Sequence, residues 1–357
     1  MTRAGGNAYN TVVHHTTTQH VWTILVLLTL LLAPTPAHGD DSVDVTTTRV
    51  AIPVADLRGR PSITRRTYSH DRHQESQLLY GEAVAVKRRR GTWSHVEAIE
   101  QPEWNHNRRW EGYPGWIRSR HLIDVQDWTP NLTVTGKHAI VLEQSDPHAP
   151  VLLTLSLGSR IVGVEPLVDE QSPWQPVRLL DGRSGWIPRA LVMPMVELQQ
   201  LPPDALRQRL IDTARLLLND PYYWGGRSAT PSQELRVIPA IHSLMAVDCS
   251  GLTNLCHRAV GIDVPRDAHE QFLRCRRLDK RELQPGDLVF LSAPDDPQQI
   301  THVMLYVGED DVIEAPGTGK TVHQTTLRER VGFTLRGIRE QKPVAERRFV
   351  HFGTYLP

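Results

Sequence analysis

The stretch Asp248-Cys249-Ser250-Gly251-Leu252 opens a helix-compatible run that continues to Val260 and ends before Gly261. A cysteine in the first turn of a helix faces backbone N–H groups that have no partner within the helix, and it lies at the positive end of the helix dipole. Both features favour the thiolate over the thiol. The stretch therefore predicts a helix whose first turn carries a nucleophile, Cys249.

A thiolate that attacks an amide needs a base on a rigid element nearby, and His302 is the best candidate. His302 begins a predicted strand, residues 302–308, and a second predicted strand, residues 311–315, follows a short acidic turn. Antiparallel pairing of these strands would return Glu314 towards His302, where its carboxylate can hold the imidazole ring. The chain has 17 histidines, so the order and spacing of the motifs carry this assignment.

The two remaining cysteines, Cys256 and Cys275, are predicted to be buried or incidental. An odd number of cysteines argues against a scaffold held by disulfides, and the sequence has neither a C-x-x-C nor an H-E-x-x-H motif. We therefore predict no metal site and no cofactor.

The pattern of residues 45–192 predicts short strands separated by turns. One motif, W-x-x-V…G-x-x-G-W-I, occurs there twice. The first copy runs from Trp93 to Ile117 and the second from Trp174 to Ile187. G-x-x-G ahead of Trp-Ile predicts a tight turn into a strand, with the tryptophan covering the core of a small barrel. The first copy has 11 more residues between its tryptophans than the second.

These patterns divide the chain into predicted segments. Two small β domains are predicted at residues 45–125 and 126–196, followed by a linker at 195–203. A C-terminal α+β domain at 204–357 begins with an amphipathic helix at 204–219. A length of 357 residues agrees with two or three domains.

Composition and the N-terminus restrict the class of protein. Hydrophobic residues make up 39% and charged residues 22% of the chain, a composition typical of globular proteins. The 40 basic residues balance the 40 acidic ones, so the net charge does not indicate binding to nucleic acid. Residues 21–33 form an apolar run followed by small residues, which predicts a cleavable signal over residues 1–39. We expect an exported protein, periplasmic or extracellular, with no membrane span after cleavage.

Five motifs occur in the order found in the NlpC/P60 cysteine peptidases, which the C-terminal part resembles. They are P-Y-x-W-G-G, D-C-S-G, P-R-D-A-x-x-Q, L-x-P-G-D-L-V-F and H-V-x-x-Y-V-G, beginning at Pro221, Asp248, Pro265, Leu283 and His302. The two repeats ahead of them resemble bacterial SH3-like (SH3b) domains. The whole arrangement is similar to γ-D-glutamyl-L-diamino-acid endopeptidases, which act on bacterial cell-wall peptides.

The resemblance implies a papain-like α+β fold, with a cysteine-bearing helix on an antiparallel sheet, behind two small SH3-like β barrels. It implies that Cys249 is the nucleophile, His302 the general base and Tyr222 a donor at the oxyanion site, together with the backbone N–H of Cys249. The third catalytic position, often histidine in this family, falls on Glu314. His323 is a less favoured candidate for that position.

The resemblance also implies substrate-binding residues. In the catalytic domain they are Asp248, Ser250, Arg266 and Asp267. In the first SH3-like domain they are Tyr113 and a glutamate, for which Glu75 is favoured over Glu82. The second repeat has Arg183 where the first has Tyr113, so we expect it to be a spacer.

The implied reaction is hydrolysis of the γ-D-Glu–L-diamino-acid amide, with mDAP or Lys as the diamino acid, in murein peptides that have a free N-terminal L-Ala. Two alternatives remain open: a broader murein endopeptidase or amidase acting on polymeric wall, and an inactive wall-binding protein. The presence of both Cys249 and His302 argues against the last. Residues 227–247 are longer than the connection expected in this family between the W-G-G motif and the cysteine helix, and we expect them to lie at the rim of the cleft. The sequence leaves the oligomeric state open.

Overall fold

The computed structural model describes residues 47–62, 71–164, 172–232, 246–339 and 341–357. The predicted signal and most of the 227–247 insertion lie outside the described residues. Asp44–Pro357 forms one compact unit. None of the helices within the described ranges is both long and apolar enough to cross a membrane.

The first part of this unit is built mainly from β strands. Strands β1 to β7 are Thr47–Val50, Val54–Arg58, Gln74–Leu79, Val84–Arg90, Trp93–Trp104, Trp110–Arg118 and Leu122–Val125. An antiparallel sheet has the order β3-β2-β6-β5-β4, and β1 pairs with β7. Apolar side chains from both sheets, among them Val50 of β1, Leu57 of β2 and Val96 of β5, enclose a small core.

A second all-β part follows. Strands β8 to β14 are Leu132–Val134, His138–Leu142, Val151–Ser156, Arg160–Gly163, Trp174–Arg178, Ser184–Pro188 and Val192–Pro194. They form one sheet in the order β10-β9-β13-β12-β11-β8-β14. Tyr80, from the first part, packs edge-on against Trp128 at the border of this core, with ring centroids 6.2 Å apart.

The two sequence repeats form equivalent hairpins, β5–β6 and β12–β13. In each hairpin the valine of the repeat lies opposite the second glycine, Val96 opposite Gly115 and Val177 opposite Gly185. A Cβ atom on Gly115 would lie 2.5 Å from the Leu57 side chain, so close packing requires glycine there.

The predicted turn is wrong for the first copy. Its G-x-x-G segment lies inside β6, because the extra residues lengthen the hairpin and move its turn to residues 105–109. The division into two SH3-like domains agrees with the strand groups but stays a prediction.

The C-terminal part combines helices with an antiparallel sheet, which confirms the predicted α+β fold. Helices α1 to α5 are Met195–Gln200, Pro203–Arg215, Cys249–Ala259, Ala268–Arg274 and Leu327–Val331. Strands β15 to β22 are Arg227–Ser228, Ala246–Val247, Arg276–Leu278, Leu288–Ala293, Asp296–Gly308, Asp311–Glu314, His323–Thr326 and Val350–Thr354. The main sheet has the order β17-β22-β18-β19-β20-β21, and α3 and α4 pack against β19.

The segment predicted as a linker is partly helical. Residues 195–200 form α1, and Leu198 on this helix is buried.

A buried polar network joins the first sheet to α3, the helix that begins with Cys249. Arg227 donates to Glu82 at 2.8 Å, and Arg258, on α3, donates to Glu100 at 2.6 Å. Arg258 also lies 3.3 Å from Glu82. Glu82 is thus a buried ion-pair partner, and it does not line the cleft beside Cys249, whereas Glu75 does.

Candidate active site

The nucleophile candidate lies at the start of α3, as its sequence context predicts. Asp248 is the N-cap of this helix, and its Oδ1 accepts a hydrogen bond from the backbone N–H of Gly251 at 2.7 Å. Cys249 is the first helical residue and is partly exposed. The cap fixes the first turn, so the sulfur is held at the positive end of the helix.

His302 on β19 lies between Cys249 and Glu314. Its Nε2 is 2.5 Å from Glu314 Oε2, which leaves Nδ1 as the ring nitrogen for the hydrogen bond to Cys249. Burial alone would lower the pKa of His302, but attraction to Cys249 and hydrogen bonds to Cys249 and Glu314 raise it to about 9. His302 therefore keeps a proton beside the Cys249 sulfur at neutral pH, as proton transfer to a leaving amine requires.

Glu314 reaches His302 through the pairing of β19 with β20, across a turn in which Glu309 and Asp310 both have positive φ. Burial disfavours its carboxylate, but the hydrogen bond from His302 and the charges of His302 and Arg330 outweigh burial and lower the pKa of Glu314. His323, the less favoured candidate, lies opposite Glu314 on β21, and its Nε2 is 3.8 Å from Glu314 Oε1.

Tyr222 lies beside the nucleophile, where its backbone bridges to Val247 two residues before Cys249. Burial and the neighbouring Asp248 and Cys249 raise the pKa of Tyr222 well above its usual value. Its hydroxyl therefore keeps its proton and can donate a hydrogen bond into the cleft.

Arg266 differs from its predicted position, because it has no exposed surface and does not line the cleft. It donates to both carboxylate oxygens of Asp248, at 3.0 and 2.7 Å, to Ser250 Oγ at 3.0 Å and to Ser76 Oγ at 2.9 Å. Gly225 N–H also donates to Asp248. The Asp248 carboxylate is therefore fully occupied in holding the helix start, and its charge is matched by Arg266.

The cleft beside Cys249 has a volume of about 380 Å³. Predicted residues that line it are Glu75, Tyr113, Tyr222, Asp248, Cys249, Ser250 and Asp267; unpredicted ones include Trp224, His269 and Glu270. A larger cavity of about 560 Å³, lined by Phe272 and Phe352 among others, holds none of the predicted site residues. Arg183, the counterpart of Tyr113, is exposed, bonds to Asp181 and does not line the cleft.

Carboxylates gather at one end of this cleft. Tyr113 donates to Asp267 Oδ2 at 3.0 Å, which joins the first β part to the start of α4. Burial and repulsion by Asp267 raise the pKa of Glu75, and the same causes raise the pKa of Glu270 to about 7. Glu103 on β5 faces the same group. Glu75 and Asp267 are predicted residues of this end, whereas Glu103 and Glu270 were missed because no motif position marks them.

Across the described ranges no group of histidine, cysteine and acidic residues is arranged to hold a metal ion. Cys256 and Cys275 are free and buried, as predicted.

Comparison with known proteins agrees with this geometry. Residues 219–334 match the NlpC/P60 family. The chain is 30% identical to a γ-D-glutamyl-L-lysine dipeptidyl-peptidase of Bacillus cereus, over 70% of this chain and 69% of the relative. It is 27% identical to a protein of the same name from Bacillus subtilis, over 72% and 77%. A crystal structure of a Bacillus cereus NlpC/P60 family protein aligns with a TM-score of 0.65 at 24% identity, over 87% of this chain and all of that one.

Proposed function

Because the chain belongs to the NlpC/P60 family of cysteine peptidases, we propose that it hydrolyses the γ-D-Glu–L-diamino-acid amide of murein peptides whose N-terminal L-Ala is free, and releases L-Ala-γ-D-Glu. The observation that carries the proposal is the acidic end of the cleft, where Glu75, Asp267 and Glu270 lie together. The proposal includes export through residues 1–39.

The acidic end favours a protonated amine. Three carboxylates line it, and the nearby Arg266 is buried, bonds to Asp248 with both terminal nitrogens and lies 3.7 Å from Asp267. Burial is the main cause of the raised pKa values of Glu75 and Glu270, and repulsion by Asp267 is the second; a positive ligand would relieve that repulsion. The free α-amine of L-Ala carries this charge, whereas an L-Ala amide-linked to a glycan does not.

In the proposed reaction the thiolate of Cys249 attacks the γ-carbonyl carbon of D-Glu. The backbone N–H of Cys249 and the Tyr222 hydroxyl donate to the developing oxyanion. His302 gives its Nδ1 proton to the leaving nitrogen, which releases the diamino acid and leaves a thioester. His302 then takes a proton from the attacking water, whose oxygen adds to the thioester carbonyl; L-Ala-γ-D-Glu leaves as the acid, and the Cys249 thiolate and the protonated His302 are regenerated. Glu314 holds the imidazole through Nε2 in both steps.

The names of the similar Bacillus proteins support a lysine-type peptide as the first substrate to test. Wild-type protein would be incubated with L-Ala-γ-D-Glu-L-Lys, with its mDAP counterpart, with the N-acetylated forms of both and with intact sacculi, and the products identified by mass spectrometry. A site built around groups that pair with the amine rejects a ligand lacking it by about 10⁴-fold. Comparable rates on sacculi and free peptide would instead support a general murein endopeptidase.

A further inference from the structure

The carboxylate of Glu314 contacts nitrogens from three elements. Its Oε2 lies 2.5 Å from His302 Nε2 and accepts a hydrogen bond from Arg330 Nε at 3.0 Å, and its Oε1 lies 3.8 Å from His323 Nε2. The Glu314 side chain is only 1% exposed. One buried oxygen is therefore shared between the catalytic imidazole candidate and a guanidinium.

Helix α5 fixes the position of Arg330. Thr326 and Glu329 form a reciprocal capping box at the start of α5, and Gly332 ends it with a φ of +84°. Leu327 and Val331 anchor the helix in the core behind the sheet. A short helix capped at both ends and anchored by two buried side chains holds its arginine in one direction.

A buried carboxylate beside an imidazole has two costs when no cation offsets it. Burial raises the pKa of the carboxyl, so the group takes up a proton at higher pH and stops holding the ring as an anion. While ionised, it also raises the pKa of the imidazole, which then releases its proton less readily in amide cleavage. A guanidinium on the same oxygen reduces both effects.

We propose that Arg330 is a positioning residue that keeps Glu314 ionised and moderates its pull on the His302 proton. The proposal rests on the catalytic roles given above for Cys249, His302 and Glu314. Arg330 does not line the cleft beside Cys249, so it acts through Glu314 and not on substrate.

Other charged groups also lie near Glu314. His302 faces it from β19 and His323 from β21, while Lys320, before β21, and Glu329, on α5, line a neighbouring cavity of about 360 Å³ with Glu314 and Arg330. Glu329 bonds to Thr325 and Thr326. Among the residues that the structure describes, Arg330 and His302 are the groups with a hydrogen bond to the Glu314 carboxylate.

The test compares Arg330→Gln and Arg330→Lys with wild type, with Arg328→Gln as the matched control, since Arg328 is exposed on the same helix. The measurement is kcat/KM for the free peptide as a function of pH. Loss of the positive charge raises the pKa of both Glu314 and His302, so both limbs of the Arg330→Gln profile should move to higher pH, by about one unit. Arg330→Lys and Arg328→Gln should keep the wild-type limbs.

The kinetic constants give a second readout. Arg330→Gln should lower kcat by about tenfold with KM nearly unchanged, because the missing interaction lies behind the base. Activity that falls with unmoved limbs would mean a purely structural role and would overturn the proposal, as would an increase in KM alone. If Arg330→Gln does not fold, Arg330→Ala with millimolar guanidinium tests the same point, since the cavity beside Glu314 admits the ion; rescue by guanidinium and not by urea is expected.

This inference can fail separately from the proposed function. The pH dependence of Cys249 alkylation by iodoacetamide needs no substrate, and Arg330→Gln should shift it to higher pH. If wild type cleaves none of the peptides but this shift occurs, the substrate assignment fails and the role of Arg330 stands. If wild type cleaves the peptide and neither profile shifts, the role of Arg330 is refuted.

Discussion

Arg227 donates a 2.8 Å hydrogen bond to Glu82, and each of the two side chains is 1% exposed. The pair connects the segment after Trp224 with the first β sheet, and Arg258 of α3 lies 3.3 Å from the same Glu82 oxygen. Removal of the carboxylate would leave two buried guanidinium groups short of one counter-charge. The alignment of the first sheet with the cysteine helix therefore depends on Glu82.

We expect Glu82→Gln to lower the free energy of unfolding by about 3–5 kcal/mol, because it breaks a buried ion pair while leaving one partner charged. The control is Glu97→Gln, which removes a partner of the exposed pair with Lys87 and should change stability by less than about 1 kcal/mol. Urea unfolding followed by tryptophan fluorescence measures both. Equal stabilities for the two variants would contradict the structural role of Glu82.

Cys249 should be alkylated selectively. Burial raises the pKa of Cys275 to about 11 and that of Cys256 further, whereas Cys249 is partly exposed beside His302. Iodoacetamide near pH 6 should therefore label Cys249 alone, and Cys249→Ala should remove both labelling and hydrolysis without changing the circular dichroism spectrum. Peptide mapping by mass spectrometry identifies the labelled residue, and hydrolysis by Cys249→Ala would end the proposed mechanism.

The pH dependence of activity should follow His302. Its pKa of about 9 places the loss of activity on the alkaline side near pH 9, where the imidazolium loses its proton. Glu314→Gln removes a negative charge beside the ring, so the pKa of His302 falls and the alkaline limb moves to lower pH.

Glu314→Gln should lose less activity than Glu314→Ala, since the amide oxygen still accepts from Nε2, and His302→Ala should lower kcat by about 10²–10⁴-fold. Unchanged rates in all three would show that this strand pair does not hold the base.

Tyr222→Phe should lower kcat by about 10²-fold and leave KM similar, because the hydroxyl is expected to bond the oxyanion more strongly than the ground-state carbonyl. Tyr306→Phe, on β19 but outside the cleft lining, is the control and should retain wild-type rates. Steady-state kinetics on the free peptide measure both variants. A fully active Tyr222→Phe enzyme would remove Tyr222 from the mechanism.

The acidic end of the cleft should set specificity. Glu75→Gln and Asp267→Asn each remove a carboxylate there. Each should raise KM for the free peptide and lower the ratio of kcat/KM for the free peptide to kcat/KM for the N-acetylated peptide. Glu143 is an exposed residue of the second β part, and Glu143→Gln should leave both KM and this ratio unchanged. If Glu75→Gln and Asp267→Asn keep the wild-type ratio between the two peptides, amine recognition lies elsewhere.

Local sequence was sufficient for the elements that carry the chemistry. The helix-compatible run that opens at Asp248-Cys249 predicted α3 with Cys249 in its first turn, and the structure begins α3 at Cys249. The two-residue turn at Glu309-Asp310 predicted the strand pairing that places Glu314 beside His302. Both features depend on residues within 12 positions of each other, where backbone geometry restricts the alternatives.

Tertiary structure decided the roles of residues that meet across long separations in the chain. Glu75 and Glu82 are seven positions apart and both acidic, yet one lines the cleft and the other is buried against Arg227 and Arg258. Arg266 is likewise buried against Asp248, and not in the pocket as the motif implied. Burial and the choice of ion-pair partner depend on which sheet packs against which helix, and that packing arises from contacts that no local pattern contains.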